Sequence, residues 1–180
     1  MRYVVAITGC SGVRYGVRLL EELEGDKELV VSDMGRRVLE HETDISSDDL
    51  NALADDVYDD HDLFAPPASG THVIDAMIVC PCSQSTMAKL AAGVSDSLLT
   101  RAASVCLKEH RKLILVPRET PLNTIMLENE LRLARAGAII LPASPAFYQE
   151  PRSVEMLIDF VIGKILDQLG QEHDLFKRWE

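Results

Sequence analysis

Apolar residues fall along this chain in short unbroken runs, separated by glycine, proline and small polar residues. Tyr3-Val4-Val5-Ala6-Ile7, Ala76-Met77-Ile78-Val79-Cys80 and Leu113-Ile114-Leu115-Val116 are apolar throughout. Runs of this kind predict strands covered on both faces, as in a parallel sheet. Strands are expected over residues 2–8, 29–31, 76–80, 112–116 and 138–141. Between them the apolar spacing lengthens to that of a helix. One helix is predicted through Val17, Leu20 and Leu23, with Gly25 as its stop, and another over about 34–41. A third runs through Met87, Leu90 and Ala91 to near Gly93, and further helices cover 98–109, 121–136 and 154–169. Gly137 and Gly170 end the last two. Residues 46–62 are acidic and weakly helical, with Ser46 or Ser47 as N-cap. Residues 65–70, which include Pro66 and Pro67, read as a loop.

Strand and helix alternate, with glycine after helices and serine or proline after strands. This predicts a doubly wound parallel α/β sheet, flavodoxin-like or Rossmann-like, as a single domain over residues 1–180. Right-handed crossovers put every loop that follows a strand on one edge of the sheet, where such folds bind ligands. Ser11, Ser32, Ser83 and Arg118 are then expected to share a crevice.

Three of these loops have chemistry of their own. Gly9-Cys10-Ser11-Gly12 joins a strand to a helix start, where free N–H groups and the helix dipole attract an anion. The glycine spacing is not that of a dinucleotide fingerprint, no Gly-Lys-Ser/Thr follows as in a P-loop, and Val13 breaks the hydrolase elbow pattern. Taken alone, the turn is either an anion site or a tight connection without a ligand. Ser83-Gln84-Ser85-Thr86 offers hydroxyls and N–H groups at a helix N terminus, either for an anion or simply as a cap. Arg118-Glu119 follows a buried strand between Pro117 and Pro121. A fixed guanidinium there suits a phosphate oxygen and a carboxylate beside it can move protons, while a surface ion pair is the plainer alternative.

Composition narrows the classes. The chain has 180 residues, 47% hydrophobic and 26% charged, with a formal charge of -11. That charge disfavours nucleic acid and anionic membranes as partners. No apolar run approaches the roughly 18 residues of a membrane span, and no signal-peptide pattern precedes the first strand. Cys10, Cys80, Cys82 and Cys106 lack the spacing of a disulfide framework or a zinc site, so reduced thiols in a cytoplasmic protein without a metal are expected.

With these blocks in hand, the chain resembles the UbiX-type flavin prenyltransferases over nearly its whole length. The resemblance rests on Thr8-Gly9-Cys10-Ser11-Gly12 with Tyr15-Gly16, Glu42-Thr43-Asp44, residues 66–70 and Pro81-Cys82-Ser83. It continues through residues 98–108 and 113–122, Leu127-Glu128-Asn129, Pro145-Ala146-Phe147-Tyr148 and Arg178-Trp179. It implies a cytoplasmic homododecamer with active sites shared between subunits. The implied reaction joins a dimethylallyl group from dimethylallyl phosphate to reduced FMN, at N5 and then C6. The product, prenylated FMN, would serve a UbiD-type decarboxylase, and no metal is implied. By the same resemblance, Gly9, Cys10, Ser11, Ser32, Ser83, Gln84, Ser85, Thr86 and Arg118 bind FMN. Arg101, Lys108, Tyr148 and Lys164 hold the substrate phosphate, and Glu119, Glu42 and Ser11 are the catalytic group. A departing phosphate needs cations on its oxygens, which Arg101, Lys108, Arg118 and Lys164 could supply without a divalent ion.

The chain departs from the family pattern at Cys10, usually alanine, Ser104, usually aspartate, His110, usually arginine, and Lys164, usually arginine. The last change keeps the charge and loses the bidentate fork. Two other readings compete: an FMN-dependent decarboxylase of the cysteine-decarboxylase type and an FMN carrier. The decarboxylases carry an asparagine in the loop where this chain has Pro81-Cys82-Ser83-Gln84-Ser85-Thr86. A carrier would not call for Glu119, Lys108 and Tyr148.

Overall fold

Three apolar runs become the middle of a six-stranded sheet: β1 (Arg2–Ile7), β4 (Ala76–Cys82) and β5 (Lys112–Pro117). The structure, a computed structural model describing residues 1–179, adds β2 (Asp26–Val31), β3 (Asp56–Asp59) and β6 (Ile139–Ile140). All pairings are parallel, in the order β3-β2-β1-β4-β5-β6. The chain starts at the centre, winds outward to β3, crosses back to β4 and winds the other way. This is the Rossmann order, which settles the choice left open between the two doubly wound forms.

Alternate side chains of β1 feed two separate cores. Tyr3, Val5 and Ile7 meet α1 (Val13–Glu22) and α7 (Val154–Leu169) on one face. Val4 and Ala6 meet α4 (Gln84–Ala91) and α5 (Leu98–Lys108) on the other. α1 lies directly on the sheet because residue 16 is glycine. A Cβ there would stand 2.4 Å from the carbonyl oxygen of Cys80 and 2.8 Å from the Ile7 side chain.

Differences from the expected elements have local causes. β2 starts at Asp26 rather than residue 29, because Asp26 and Lys27 pair in register with Arg2 and Tyr3. β3 lies in the stretch expected to be weakly helical, where only α3 (Ser47–Asn51) forms behind a Ser46 capping box. An edge strand paired on one side needs no apolar run, so Asp56-Val57-Tyr58-Asp59 gave no strand signal. Pro66–Ala68 makes a single 3₁₀ turn inside the expected loop. α2 (Asp33–Glu42) matches its expected span closely, whereas α6 (Thr124–Arg135) starts after Pro121 because Asn123 caps it. β6 keeps only the middle two of its four expected residues.

Two surfaces are unusual for an isolated chain. α6 buries only Leu133 and turns Ile125, Leu127 and Leu131 outward. Beyond α7, residues 171–179 fold back along that helix after Gly170 (φ 75°) reverses the chain. Asp167 gathers the returning segment, accepting from Arg178 at 2.8 Å and Lys164 at 3.1 Å, with His173 at 3.3 Å. The Trp179 ring stands edge-on to Tyr148, with centroids 5.2 Å apart.

Burial alone would raise the Asp167 pKa, but the bonds from Arg178 and Lys164 outweigh it and hold the carboxyl at about 2, below its ordinary 3.8. A depressed folded pKa gives stability that is complete above the ordinary value and lost as pH falls through the folded one. The chain has one tryptophan, so Trp179 emission should shift as pH falls from about 4 to about 2. Asp167→Asn should show the acid-like emission at neutral pH. Unchanged emission in both cases would mean that the carboxylate does not hold the tail. For the close approach of α1, Gly16→Ala is expected to cost about 1–3 kcal/mol in urea denaturation. A change within about 0.5 kcal/mol, the range of a neutral surface substitution, would show that the helix can slide.

Candidate active site

Helices that follow parallel strands all begin at the same sheet edge, so their N termini converge. Here α2, α4 and α5 open onto one cleft of about 530 Å³, beyond the ends of β1, β2 and β4. Gly9, Cys10, Ser32, Ser83, Gln84, Ser85, Thr86 and Glu119 line it, whereas Ser11 and Arg118, expected in the same crevice as Ser32 and Ser83, do not. Each of the three helices starts with a serine cap: Ser32 accepts from Gly35 N–H at 3.1 Å, Ser83 from Thr86 at 3.2 Å and Ser97 from Thr100 at 3.4 Å.

The three N termini are not equivalent. At α5 the amide N–H of Leu98 donates to the Asp60 carbonyl at 2.7 Å, and that of Leu99 to the Asp60 carboxylate at 2.8 Å. Asp60 therefore fills that anion position. α2 carries Asp33 in its own first turn, paired with His61 at 3.1 Å. α4 has no acidic residue in its first turn. The N–H groups of Gln84 and Ser85 have no partner among the described residues. The first amides of α2, Asp33 and Met34, also lack a partner among the described residues, but the Asp33 carboxylate stands in that turn. Positive helix ends favour anions, and of the three α4 alone has neither an acidic residue in its first turn nor a carboxylate on its amides. A cleft of this size with an open phosphate seat fits FMN.

The turn after β1 is built differently. Gly12 (φ 102°) precedes α1 without a side-chain cap. Its N–H donates instead to Glu42 at 2.8 Å. Burial would raise the Glu42 pKa, but hydrogen bonds from the Ser11 hydroxyl and the Gly12 and Val13 amides lower it overall. Glu42 is thus held ionised at the anion position that the sequence left open. Ser11 is exposed outside the cleft wall, and its carbonyl accepts from Arg118 Nε at 2.9 Å. Ser11, Glu42 and Arg118 form one cluster behind the cleft.

Glu119 is exposed at the end of β5, its carboxylate accepting from the Thr120 amide at 3.1 Å. It faces two spaces, the main cleft and a hollow of about 400 Å³ beside Arg118 and Glu130. The Gln84 amide group is oriented by Glu130, to which its Nε2 donates at 3.2 Å, leaving Oε1 buried without a partner. Burial pushes the Cys10 thiol up to about 11, and Cys80 and Cys82 higher still, so these groups stay protonated at neutral pH. Among the described residues, no group of three His, Cys, Asp or Glu side chains could hold a metal ion.

Four expected phosphate residues lie elsewhere. Arg101 turns from the first turn of α5 to the Ala68 carbonyl at 3.0 Å, and Lys108 pairs with Glu109 beside Gly70. Lys164 pairs with Asp167, and Tyr148 packs against Phe160 and Trp179. None of the four lines the cleft. Its charged wall is mainly acidic, with Asp33, Asp60, Asp96 and Glu119 against Lys89 and His61, and Lys89 is tied to Asp96 at 2.9 Å. Sequence reasoning missed Asp60, His61 and Ser97. Asp60 and His61 follow the unrecognised β3, whereas Ser97 with Thr100 is a capping pattern just ahead of the expected helix.

Comparisons with known proteins agree with this geometry. Residues 1–167 match the Flavoprotein family. The flavin prenyltransferase UbiX of Thermoplasma acidophilum is 49% identical, over 99% of this chain and 100% of that protein. A dodecameric FMN-dependent UbiX-like decarboxylase from Escherichia coli O157:H7 superposes with a TM-score of 0.97 and 44% identity, covering 100% of both chains. AnUbiX (PadA1), solved in complex with FMN and dimethylallyl pyrophosphate, superposes with a TM-score of 0.97 and 43% identity, covering 99% of this chain and 97% of that one. With an open phosphate seat, an Arg-Glu pair at a strand end and near-complete coverage, the chain belongs to the Flavoprotein family and, within it, to the UbiX-type flavin prenyltransferases.

Proposed function

We propose that this chain transfers a dimethylallyl group from dimethylallyl phosphate to reduced FMN, yielding prenylated FMN for a UbiD-type decarboxylase. The observation that carries this reading is the N terminus of α4, with open first amides and no acidic residue in its first turn, facing the same cleft as Glu119. The N–H groups of Gln84 and Ser85, with the hydroxyls of Ser83, Ser85 and Thr86, would take the FMN phosphate. Gly9, Cys10, Ser11, Ser32 and Arg118 would supply the remaining flavin contacts. Reduced FMN, when bound, supplies the nucleophilic N5 and C6 positions.

Glu119 would give a proton to the departing phosphate and later take one back, one carboxylate serving in both directions. The N–H groups that hold Glu42 ionised make it a proton acceptor rather than a donor near neutrality. A departing phosphate also needs cations, and the acidic wall of the cleft does not provide them. Arg101, Lys108, Tyr148 and Lys164 would therefore serve the cleft of a neighbouring copy. This calls for a homo-oligomer with shared sites, a dodecamer by the family pattern. The outward Ile125, Leu127 and Leu131 of α6 suit burial in such an assembly. No helix among the described residues is long and apolar enough to cross a membrane. The four unpaired cysteines fit a reducing compartment, and we assign the protein to the cytoplasm.

Glu119→Gln should leave FMN affinity within about twofold while slowing single-turnover alkylation of reduced FMN roughly 10²–10⁴-fold, the range of a lost acid–base group. Affinity falling in step with turnover would return Glu119 to a structural role. Since cations of the chain are assigned the phosphate charge, prenyl transfer should proceed without added metal and survive a chelator. Activity that disappears with the chelator and returns with magnesium would overturn the assignment of Arg101, Lys108, Arg118 and Lys164.

A further inference from the structure

At the carboxyl edge of the sheet, the backbone pairing between β1 and β4 stops just before the cleft begins. Its last pair is Ala6 with Val79. Beyond it the register of β4 against β5 shifts between Val79 and Cys82, and Pro81 has no N–H to donate. Without a side chain there, the two turns that form the cleft floor, after β1 and after β4, would be joined by one backbone bond, from the residue 8 N–H to the Pro81 carbonyl at 3.2 Å.

A side chain closes that gap. Thr8 is 1% exposed and stands at the first position beyond β1. Its hydroxyl donates to the Pro81 carbonyl at 2.9 Å and accepts the Ser83 N–H at 2.7 Å. Its own N–H also reaches the Pro81 carbonyl, at 3.2 Å. One hydroxyl thus acts as donor and acceptor at once, adding two bonds to the single backbone one.

We propose that Thr8 is a positioning residue for the flavin site, setting the spacing between the Gly9–Cys10 turn and the N terminus of α4. Thr8 itself does not line the cleft. It acts through Ser83. By taking the Ser83 N–H, it fixes the Cys82–Ser83 peptide, from which the two open N–H groups of Gln84 and Ser85 follow. The Ser83 hydroxyl remains free to cap Thr86. A valine at residue 8 keeps the shape but leaves the part-buried Ser83 N–H without its acceptor and takes one of two donors from the Pro81 carbonyl. Serine keeps both hydrogen bonds and loses only a methyl group. The proposal rests on the reading of the cleft as an FMN site.

The test is a titration of FMN by fluorescence quenching on wild type, Thr8→Ser and Thr8→Val. The urea midpoint of each flavin-free protein and the KM for dimethylallyl phosphate are measured alongside. Thr8→Ser is expected within about threefold of wild-type affinity, and Thr8→Val roughly ten- to a hundredfold weaker, the size of one lost buried hydrogen bond. The KM for dimethylallyl phosphate should hold in both. Wild-type affinity in Thr8→Val, with only the urea midpoint lowered, would overturn the proposal and leave a purely structural tie. Equal losses in Thr8→Ser and Thr8→Val would overturn it too, since the methyl group and not the hydroxyl would then matter. If Thr8→Val does not fold, amide exchange on the wild type decides. Ser83 N–H is expected to be protected before FMN is added, and protection that arises only with FMN overturns the proposal. A wild type that binds no FMN would overturn the flavin reading itself, a result separate from any difference among the variants.

Discussion

A helix N terminus leaves N–H groups without partners, and in a doubly wound sheet several such ends meet at one edge. Their mutual arrangement is the constraint on which this site depends. The chain answers two of them with carboxylates on their amides, Glu42 at α1 and Asp60 at α5, and places Asp33 in the first turn of α2. Of the helix ends at the cleft, α4 alone among the described residues has neither an acidic residue in its first turn nor a carboxylate on its first amides. Under the proposed function a ligand phosphate would be directed to α4 by the carboxylates at the other ends, and Asp60 plays this part while also tying the segment after β3 to α5. Selectivity of this kind comes from occupied competitors as much as from contacts to the ligand.

The central strands and most helices were legible because burial on two faces leaves a continuous apolar run and burial on one face leaves a helical period. Ser32 and Ser83 were legible at the cleft because loops after parallel strands share an edge, but the same rule misplaced Ser11 and Arg118, which bond each other behind the cleft. β3 was not legible, because an edge strand paired only to β2 can be as polar as Asp56-Val57-Tyr58-Asp59. With it went Asp60 and His61. The strand order was also hidden, since local periodicity carries no record of which strands become neighbours. Glu42 was visible through resemblance alone, because a contact with Gly12 across thirty residues leaves no local trace.

Charge is distributed over the molecule in a way that a single chain does not use. The cleft wall carries more acids than bases, within a chain of formal charge -11. The cations that suit a phosphate ester lie on the outer parts of α5 and α7, beside the residue 66–70 loop and the folded-back tail. Glu119 and Lys164 occupy different regions of the same molecule, and under the proposed shared sites they would act in different clefts.

That separation has a genetic consequence. A chain defective at Lys164 still carries a sound Glu119, and a chain defective at Glu119 still carries a sound Lys164. In a mixed assembly, some clefts would draw each residue from the intact source. Two alleles that are each inactive alone would then complement one another within a single cell, while one defective chain would spoil clefts that are not its own.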